Sequence, residues 1–101
     1  MCGFVGICSL KKDLSNDEEI IKQMNLKIKK RGPDEEGYYI DKNINLGHRR
    51  LIIIDKENGK QPMSVKYNDT TYTMVYNGQI YNKDEIKNDL KDLGYRFKRI
   101  F

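Results

Sequence analysis

The chain has 101 residues, of which 38% are hydrophobic and 34% are charged. This length suits a single domain with one core. The composition excludes a disordered chain, which would combine lower hydrophobicity with a higher charge. The net charge of +4 comes mostly from lysines scattered among acidic residues, so we expect a solvated surface and no nucleic-acid partner.

The first predicted elements are a strand and a helix. Residues 2–10 mix small, apolar and β-branched residues, which is typical of a buried strand. Ser15 with Glu18 three residues later predicts a capping box at the start of a helix. The helix presents apolar residues at helical spacing and should stop before Gly32 and Pro33. Its predicted inward positions are Ile20 or Ile21, Met24 and Ile28.

A β-hairpin is predicted next. Residues 37–41 and 44–55 read as two strands joined by the turn at residues 41–43. The second strand ends in the apolar run 51–54, which suggests burial on both faces. Because the apolar clusters fall mainly on strands, we expect sheets to form most of the core.

The second half of the chain predicts another hairpin and another helix. Asn68 and Asp69 mark a turn before a strand at residues 70–76. Asn82 with Glu85 predicts a helix cap, and Gly94 predicts the stop. The apolar face of this helix is predicted to hold Ile86, Leu90 and Leu93, and residues 95–101 should begin a further strand.

The cysteine count and the absence of a long apolar run exclude several classes of protein. The two cysteines offer neither a disulfide framework nor the paired spacing of a zinc site, so we expect no metal site. No stretch approaches the roughly 20 apolar residues of a membrane span, and the start of the chain lacks the features of a signal peptide. We therefore expect a cytoplasmic protein without a membrane partner.

Cys2 is the first candidate for chemistry. A small residue after Met1 ordinarily permits removal of Met1, which would leave Cys2 with a free α-amine. An α-amine is partly neutral at pH 7 and can take the thiol proton, so an N-terminal cysteine carries its own base. The alternative is an inert cysteine buried in a strand. Gly3 would let a ligand approach the backbone closely.

Two further segments combine a structural and a functional interpretation. Residues 31–34 read as a turn that ends a helix, although an arginine there can also brace a neighbouring loop. Arg49 and Arg50 are adjacent on a strand and therefore point to opposite faces. Whichever faces inward needs an anion, and a substrate carboxylate would satisfy it. His48 is either structural or, as a minor alternative, the partner of Cys2 in a dyad.

Residues 76–82 connect a strand to a capped helix. Asn77 with Gly78 is a favourable turn sequence, which is the structural interpretation. The functional interpretation is an oxyanion hole, in which the Asn77 side-chain amide and the Gly78 backbone N–H stabilise the oxygen that becomes negative during attack.

Taken together, these segments give a resemblance to a known family. The chain resembles the glutaminase domain of the asparagine synthetases, which are class II glutamine amidotransferases of the N-terminal-nucleophile hydrolase group. The matching segments run in the family's order over nearly the whole chain. They are Met1-Cys2-Gly3, Arg31-Gly32-Pro33-Asp34, Gly47-His48-Arg49-Arg50-Leu51 with Asp55, Gln61-Pro62 and Tyr76-Asn77-Gly78-Gln79-Ile80-Tyr81-Asn82.

The resemblance implies an α+β fold, specifically an αββα sandwich that is incomplete at the C-terminus, and hydrolysis of glutamine through a thioester on Cys2. It implies that Arg50 holds the substrate carboxylate and that Asn77 and Gly78 stabilise the oxyanion. The implied lining of the glutamine pocket is Leu51, Ile52, Ile53 and Ile54.

The sequence departs from the family pattern at two places. Gln79 stands where the family usually has a glutamate that helps to hold the substrate α-ammonium, so we expect weaker glutamine binding. The family's second acidic partner of that ammonium follows the Phe97 region, whereas the sequence here ends at Phe101.

Residues 1–101 are accordingly interpreted as part of a glutaminase domain that needs no cofactor of its own. The ATP-dependent synthetase domain, with its ATP and magnesium, lies outside these residues, and the complete enzyme is a possible homodimer. The expected partners are glutamine and a synthetase domain or subunit. The alternatives are a non-catalytic fragment or assembly module with this fold, and a different class II glutamine amidotransferase.

Overall fold

The computed structural model describes residues 2–52 and 59–97. It contains five strands and two helices in these residues, so the α+β class is confirmed. The elements in chain order are β1 (Gly3–Cys8), α1 (Glu18–Lys27), β2 (Glu35–Ile40), β3 (Ile44–Arg50), β4 (Met63–Tyr67), β5 (Thr70–Met74) and α2 (Lys83–Asp92).

The first three strands form an antiparallel sheet in the order β1-β3-β2, which we call the first sheet. The predicted hairpin of β2 and β3 is confirmed, and the Asp41 N–H donates to the Ile44 carbonyl at 2.9 Å across its turn. β3 is the central strand and is buried along most of its length. It pairs with β1, the strand that follows Cys2, on one side and with β2 on the other.

Helix α1 packs on one face of the first sheet. A Cβ added to Gly3 would lie 3.2 Å from Ile28 Cδ1, and one added to Gly47 would lie 3.0 Å from Asn25 Cγ. Ile21, rather than Ile20, is the inward residue, because Ile21 is fully buried and Ile20 is half exposed. Among the described residues, the buried hydrophobic side chains are Leu14 and Ile21. Within the described residues, the expectation of a core made mostly by sheets is therefore wrong, since this core joins α1 to the first sheet.

The capping box predicted for α1 does not form. The Ser15 hydroxyl instead donates to the Asp13 carboxylate, in a local side-chain contact that competes with capping. Asp17 occupies the N-cap position without a side-chain cap hydrogen bond. The acidic residues Glu18 and Glu19 in the first turn still complement the helix dipole.

The strand predicted to run to residue 55 ends at Arg50. Leu51 and Ile52 are outside any strand and only half-buried, so burial on both faces is wrong for these two residues. Residues 53–55 of the predicted strand, which include Ile53 and Ile54 of the proposed pocket, lie outside the described residues.

β4 and β5 form the predicted second hairpin, which we call the second sheet. Its turn residues Asn68 and Asp69 adopt φ of 48° and 64°, which asparagine and aspartate tolerate better than most residues. The pairing of Val65 with Tyr72 places alternate apolar residues on one face, and Val65 is 62% exposed. The remaining members of this apolar face are Met63, Tyr67 and Met74.

Helix α2 begins after Asn82, as predicted, although Asn82 makes no side-chain cap hydrogen bond. Gly94, at φ of 97°, supplies the left-handed residue after the helix end, so the predicted stop is confirmed. No residue of α2 is buried. Residues 95–97 form no strand, and the rest of the predicted final strand lies outside the described residues. Among the described residues, neither α1 nor α2 is long and apolar enough to cross a bilayer.

Candidate functional site

Of the residues predicted to take part in the site, His48 and Arg50 lie on the face of the first sheet that α1 leaves uncovered. Gly3 and Gly47 face α1. Because neighbouring residues of a strand point to opposite faces, Phe4, His48 and Arg50 face the other way. We call this second face the site face. The pairing of Gly3 with Arg49 brings Cys2 to the same end of the sheet as Arg50.

Cys2 contacts the segment that follows β3. The Leu51 backbone N–H donates to Cys2 Sγ at 3.3 Å, and Sγ lies 3.7 Å from the Leu51 carbonyl oxygen. Cys2 is half-buried, whereas the second cysteine, Cys8, is exposed. The candidate nucleophile is thus held against the first residue of its predicted substrate pocket.

Residues 31–34 brace both partners of this contact. Arg31 Nε donates to the Cys2 carbonyl oxygen at 3.2 Å, which agrees with the predicted brace. The Asp34 N–H donates to the Arg50 carbonyl at 3.0 Å. The Asp34 carboxylate in turn accepts the Ile52 N–H at 2.8 Å. One turn after α1 therefore fixes the start of β1 relative to the end of β3.

Gly32 allows this turn to lie directly on β3. A Cβ added to Gly32 would come within 2.2 Å of the Arg49 carbonyl carbon and 2.5 Å of the Arg50 nitrogen. Both atoms belong to the backbone of the central strand and cannot rotate away. No side chain fits at this position without moving the turn.

Arg49 and Arg50 point to opposite faces, as predicted, and each pairs with a glutamate on β2. Arg49 Nη1 lies 2.9 Å from Glu36 Oε2, and Arg50 Nη1 lies 3.0 Å from Glu35 Oε2. Both arginines are 5% exposed. Arg50 also takes part in other interactions. The sequence predicted an anion beside whichever arginine faces inward. The chain itself supplies one for each arginine, and Glu35 is the partner of Arg50.

His48 is buried on the site face, where its ring Nε2 lies 3.4 Å from the Tyr76 carbonyl oxygen. Burial lowers the pKa of His48, and the nearby Arg50 charge lowers it further, while the Tyr76 contact and Glu35 raise it. Since a carbonyl only accepts, this contact requires the proton on Nε2. The histidine therefore contacts the loop that carries Asn77, which favours its structural interpretation over the dyad.

Tyr76 is held on its other side by Gln61. The Tyr76 N–H donates to Gln61 Oε1 at 2.6 Å. Gln61 itself crosses β2, since a Cβ added to Gly37 would lie 1.9 Å from the Gln61 carbonyl oxygen. These contacts attach the segment between β5 and α2, residues 75–82, to the site face, and we call this segment the Tyr76 loop. Asn77 is half-buried there, and Gly78 and Gln79 are exposed.

Sequence reasoning missed several of these partners. Glu35 is one of them, although counting back along the hairpin from its turn at residues 41–43 places it opposite Arg50. The contacts of Asp34 with Ile52 and of His48 with Tyr76 join segments 18 and 28 residues apart, so no local pattern signals them. Within residues 2–52 and 59–97, no three His, Cys, Asp or Glu side chains cluster to hold a metal ion.

Comparisons with known proteins give one consistent result. A family model described as "Glutamine amidotransferase domain" matches residues 1–99. The chain is 48% identical to asparagine synthetase (glutamine-hydrolyzing) 1 of Bacillus subtilis (strain 168), over 96% of this chain and 15% of that protein. It is 31% identical to asparagine synthetase (glutamine-hydrolyzing) 1 of Arabidopsis thaliana, over 95% of this chain and 16% of that protein.

An archaeal relative is similar in the same way. The putative asparagine synthetase (glutamine-hydrolyzing) 2 of Methanocaldococcus jannaschii is 41% identical over 86% of this chain and 20% of that protein. The chain thus spans between 15% and 20% of the length of these three curated relatives.

Proposed function

The chain belongs to the glutamine amidotransferase domain family, and on that premise we propose that it hydrolyses the side-chain amide of glutamine with Cys2 as the nucleophile. The observation that carries the proposal is the contact of Cys2 Sγ with the Leu51 N–H at 3.3 Å on the site face. It supports a sulfur fixed beside a segment proposed to line the glutamine pocket.

The first step is attack of the Cys2 sulfur on the amide carbon of glutamine. A carbon–sulfur bond forms, the thiol proton passes to the α-amine of Cys2, and the amide oxygen becomes negative. Asn77 and Gly78 donate hydrogen bonds to this oxygen, and each such donor lowers the barrier by about 3 kcal/mol. The attachment of the Tyr76 loop to His48 and Gln61 supports this role.

The second step is collapse of the tetrahedral intermediate. The carbon–nitrogen bond breaks, the amine proton passes to the leaving nitrogen, and ammonia departs to leave a thioester. Water then attacks the thioester, with the α-amine of Cys2 as the base, and releases glutamate and the free thiol. The Arg31 contact with the Cys2 carbonyl, at 3.2 Å, supports the positioning of this residue through both steps.

Arg50 is proposed to hold the α-carboxylate of glutamine, and residues 51–54 to line the pocket. A planar guanidinium with five N–H donors suits a carboxylate. Glu35 lies beside the same guanidinium and orients it. Gln79 is proposed to accept one hydrogen bond from the substrate α-ammonium in place of a charged contact.

We propose the αββα sandwich of the N-terminal-nucleophile hydrolases as the full architecture of the domain. The order of α1, the first sheet and the attached Tyr76 loop supports this arrangement. The second sheet and α2 each carry an apolar face, and in a sandwich the two faces would cover each other. Exposed members of these faces include Tyr72, Met74, Ile86 and Leu93.

In a complete enzyme, the ammonia would be used by an ATP-dependent synthetase domain or subunit to convert aspartate to asparagine. The names of the relatives support asparagine synthesis and glutamine hydrolysis, and the use of ATP and aspartate comes from the family resemblance. ATP and magnesium would bind that other domain, and no step on Cys2 uses them. A homodimer and a cytoplasmic location stay predictions.

The decisive experiment compares Cys2→Ala with Cys8→Ala. Intact-mass measurement first establishes whether Met1 is removed, and glutamate release from glutamine is then measured for both variants. We expect Cys2→Ala to release no glutamate above background and Cys8→Ala to match the parent chain, because Cys8 is exposed at the far end of β1. Equal rates in parent and Cys2→Ala would refute Cys2 as the nucleophile, and no glutamate release from the parent would favour the non-catalytic assembly module.

A further inference from the structure

We propose that His48 is a positioning residue that sets the orientation of the Asn77–Gly78 oxyanion loop through its contact with the Tyr76 carbonyl. This inference rests on the proposed function, because it assigns His48 a part in the stabilisation of the oxyanion. It differs from a Cys-His dyad, since the ring acts on the backbone of the loop and not on the thiol.

The peptide unit between Tyr76 and Asn77 transmits the position of the Tyr76 carbonyl to the rest of the loop. The carbonyl of Tyr76 and the nitrogen of Asn77 belong to one planar group. Holding the Tyr76 oxygen 3.4 Å from His48 Nε2 therefore also restricts the direction of the Asn77 backbone. The Gly78 N–H follows one residue later.

A second contact makes the restriction stronger. Gln61 Oε1 accepts the Tyr76 N–H at 2.6 Å, so both polar backbone groups of Tyr76 are held by side chains attached to the first sheet. A residue fixed at its nitrogen and at its oxygen has little freedom to rotate. The strand β4 and the rest of the loop contribute no comparable contact to Tyr76 among the described hydrogen bonds.

His48 is itself enclosed by the fold, as a positioning residue must be. Its side chain is 1% exposed on the central strand, and its own carbonyl accepts from Asn25 Nδ2 at 3.4 Å. His48 lies two residues from Arg50 on the same face of β3. Through His48, the loop is thus attached to β3, the strand that carries the proposed carboxylate-binding Arg50.

The test replaces His48 by leucine and by glutamine. Leucine fills the space without a donor, whereas glutamine keeps an N–H donor of similar reach. Asn45→Leu is the control for loss of a buried polar contact on the same strand, since Asn45 is fully buried and donates to the Leu14 carbonyl at 3.0 Å. All variants are made in the full chain.

Three measurements separate positioning from general damage. They are kcat and KM for glutamate release, the rate of Cys2 alkylation by iodoacetamide, and hydrogen exchange of the peptide that contains residues 75–80. For His48→Leu we expect kcat to fall about tenfold to a hundredfold, KM to change less than about threefold, and exchange in this peptide to rise. Alkylation should stay within about twofold, and His48→Gln should recover most of kcat.

The proposal and the proposed function fail in different ways. Unchanged exchange at residues 75–80 in His48→Leu, or a kcat within about twofold of the parent, would overturn the positioning role. An equal loss of kcat in His48→Leu and Asn45→Leu would also overturn it. A parent chain that releases no glutamate through Cys2 would overturn the proposed function, and with it the part of His48 in stabilising the oxyanion, even if exchange rises.

Discussion

The Cys2 sulfur accepts a hydrogen bond from the backbone N–H of Leu51 at 3.3 Å, although 49 residues separate the two in the chain. This contact joins the first residues of the chain to the segment that leaves the central strand. The turn formed by residues 31–34 holds both sides of it. The position of the sulfur is therefore set by the fold of the chain's first half and not by local sequence around Cys2.

Asp34→Ala should loosen the proposed glutamine pocket. The Asp34 carboxylate accepts the Ile52 N–H at 2.8 Å, and alanine removes that acceptor. We expect unfolding free energy to fall by about 1 kcal/mol, because the site is exposed, and KM for glutamine to rise several-fold. Asp34→Asn keeps an acceptor oxygen and is the control. Steady-state kinetics and urea unfolding measure both effects, and an alanine variant with parental KM would contradict the role.

Gly32→Ala should destabilise the protein strongly. The new methyl group would meet the backbone of β3 at 2.2 Å, and a strand backbone cannot yield. We expect a loss of about 3 kcal/mol, at the upper end of overpacking effects. Gly6→Ala is the matched control, since its methyl group would meet the tip of the Leu46 side chain at 3.1 Å and the Asn45 carbonyl oxygen at an ordinary 3.7 Å. Thermal melts compare the two, and similar melting temperatures would show that the turn can move.

Stability should fall as the pH drops below the ordinary pKa of histidine. Burial lowers the pKa of His48 in the folded state, and the Arg50 charge adds to this effect against the opposing Glu35 and Tyr76 contacts. The unfolded state then binds more protons below about pH 6.5, so protonation favours unfolding.

The measurement is the melting temperature between pH 8 and pH 5. The chain has one histidine, so His48→Gln isolates its contribution. We expect the parent to lose stability on acidification from pH 7 to pH 5 by more than the variant does. Parallel curves for the two proteins would contradict a lowered pKa at His48.

Gln79→Glu should strengthen glutamine binding. A carboxylate in place of the neutral amide would give the substrate α-ammonium a charge-assisted partner, and such contacts are roughly twice as strong as neutral ones. We expect KM for glutamine to fall about fivefold to tenfold with kcat little changed, which steady-state kinetics would show. Hydrolysis of an analogue that lacks the α-amine is the control. A gain of equal size with that analogue would refute this role for residue 79.

Local signals predicted most elements correctly. The turn residues Asn68 and Asp69 and the left-handed Gly94 mark positions that few other residues occupy easily, so they identify element ends from the sequence alone. Leu51 and Ile52 misled the prediction of β3, because apolar residues do not distinguish a strand from a half-buried segment that follows one. The Ser15 capping box failed because a closer acceptor, Asp13, was available.

The candidate site was predicted in part. Arg31 as a brace and the opposite orientations of Arg49 and Arg50 follow from position and strand alternation. The contacts of His48 and Gln61 with Tyr76 depend on how the second half of the chain is laid across the first sheet. Such tertiary contacts have no periodic or spacing signal in a single sequence.

The attachment of the Tyr76 loop to the first sheet is made by the hydrogen bonds of Gln61 and His48. Hydrogen bonds fix direction well, and parting these two uncovers less apolar area than unfolding the whole chain does. Denaturants act in proportion to newly exposed surface, so urea would change the free energy of lifting this loop only slightly. Amide exchange at Tyr76 through such a local opening would therefore be nearly independent of urea until the whole chain unfolds.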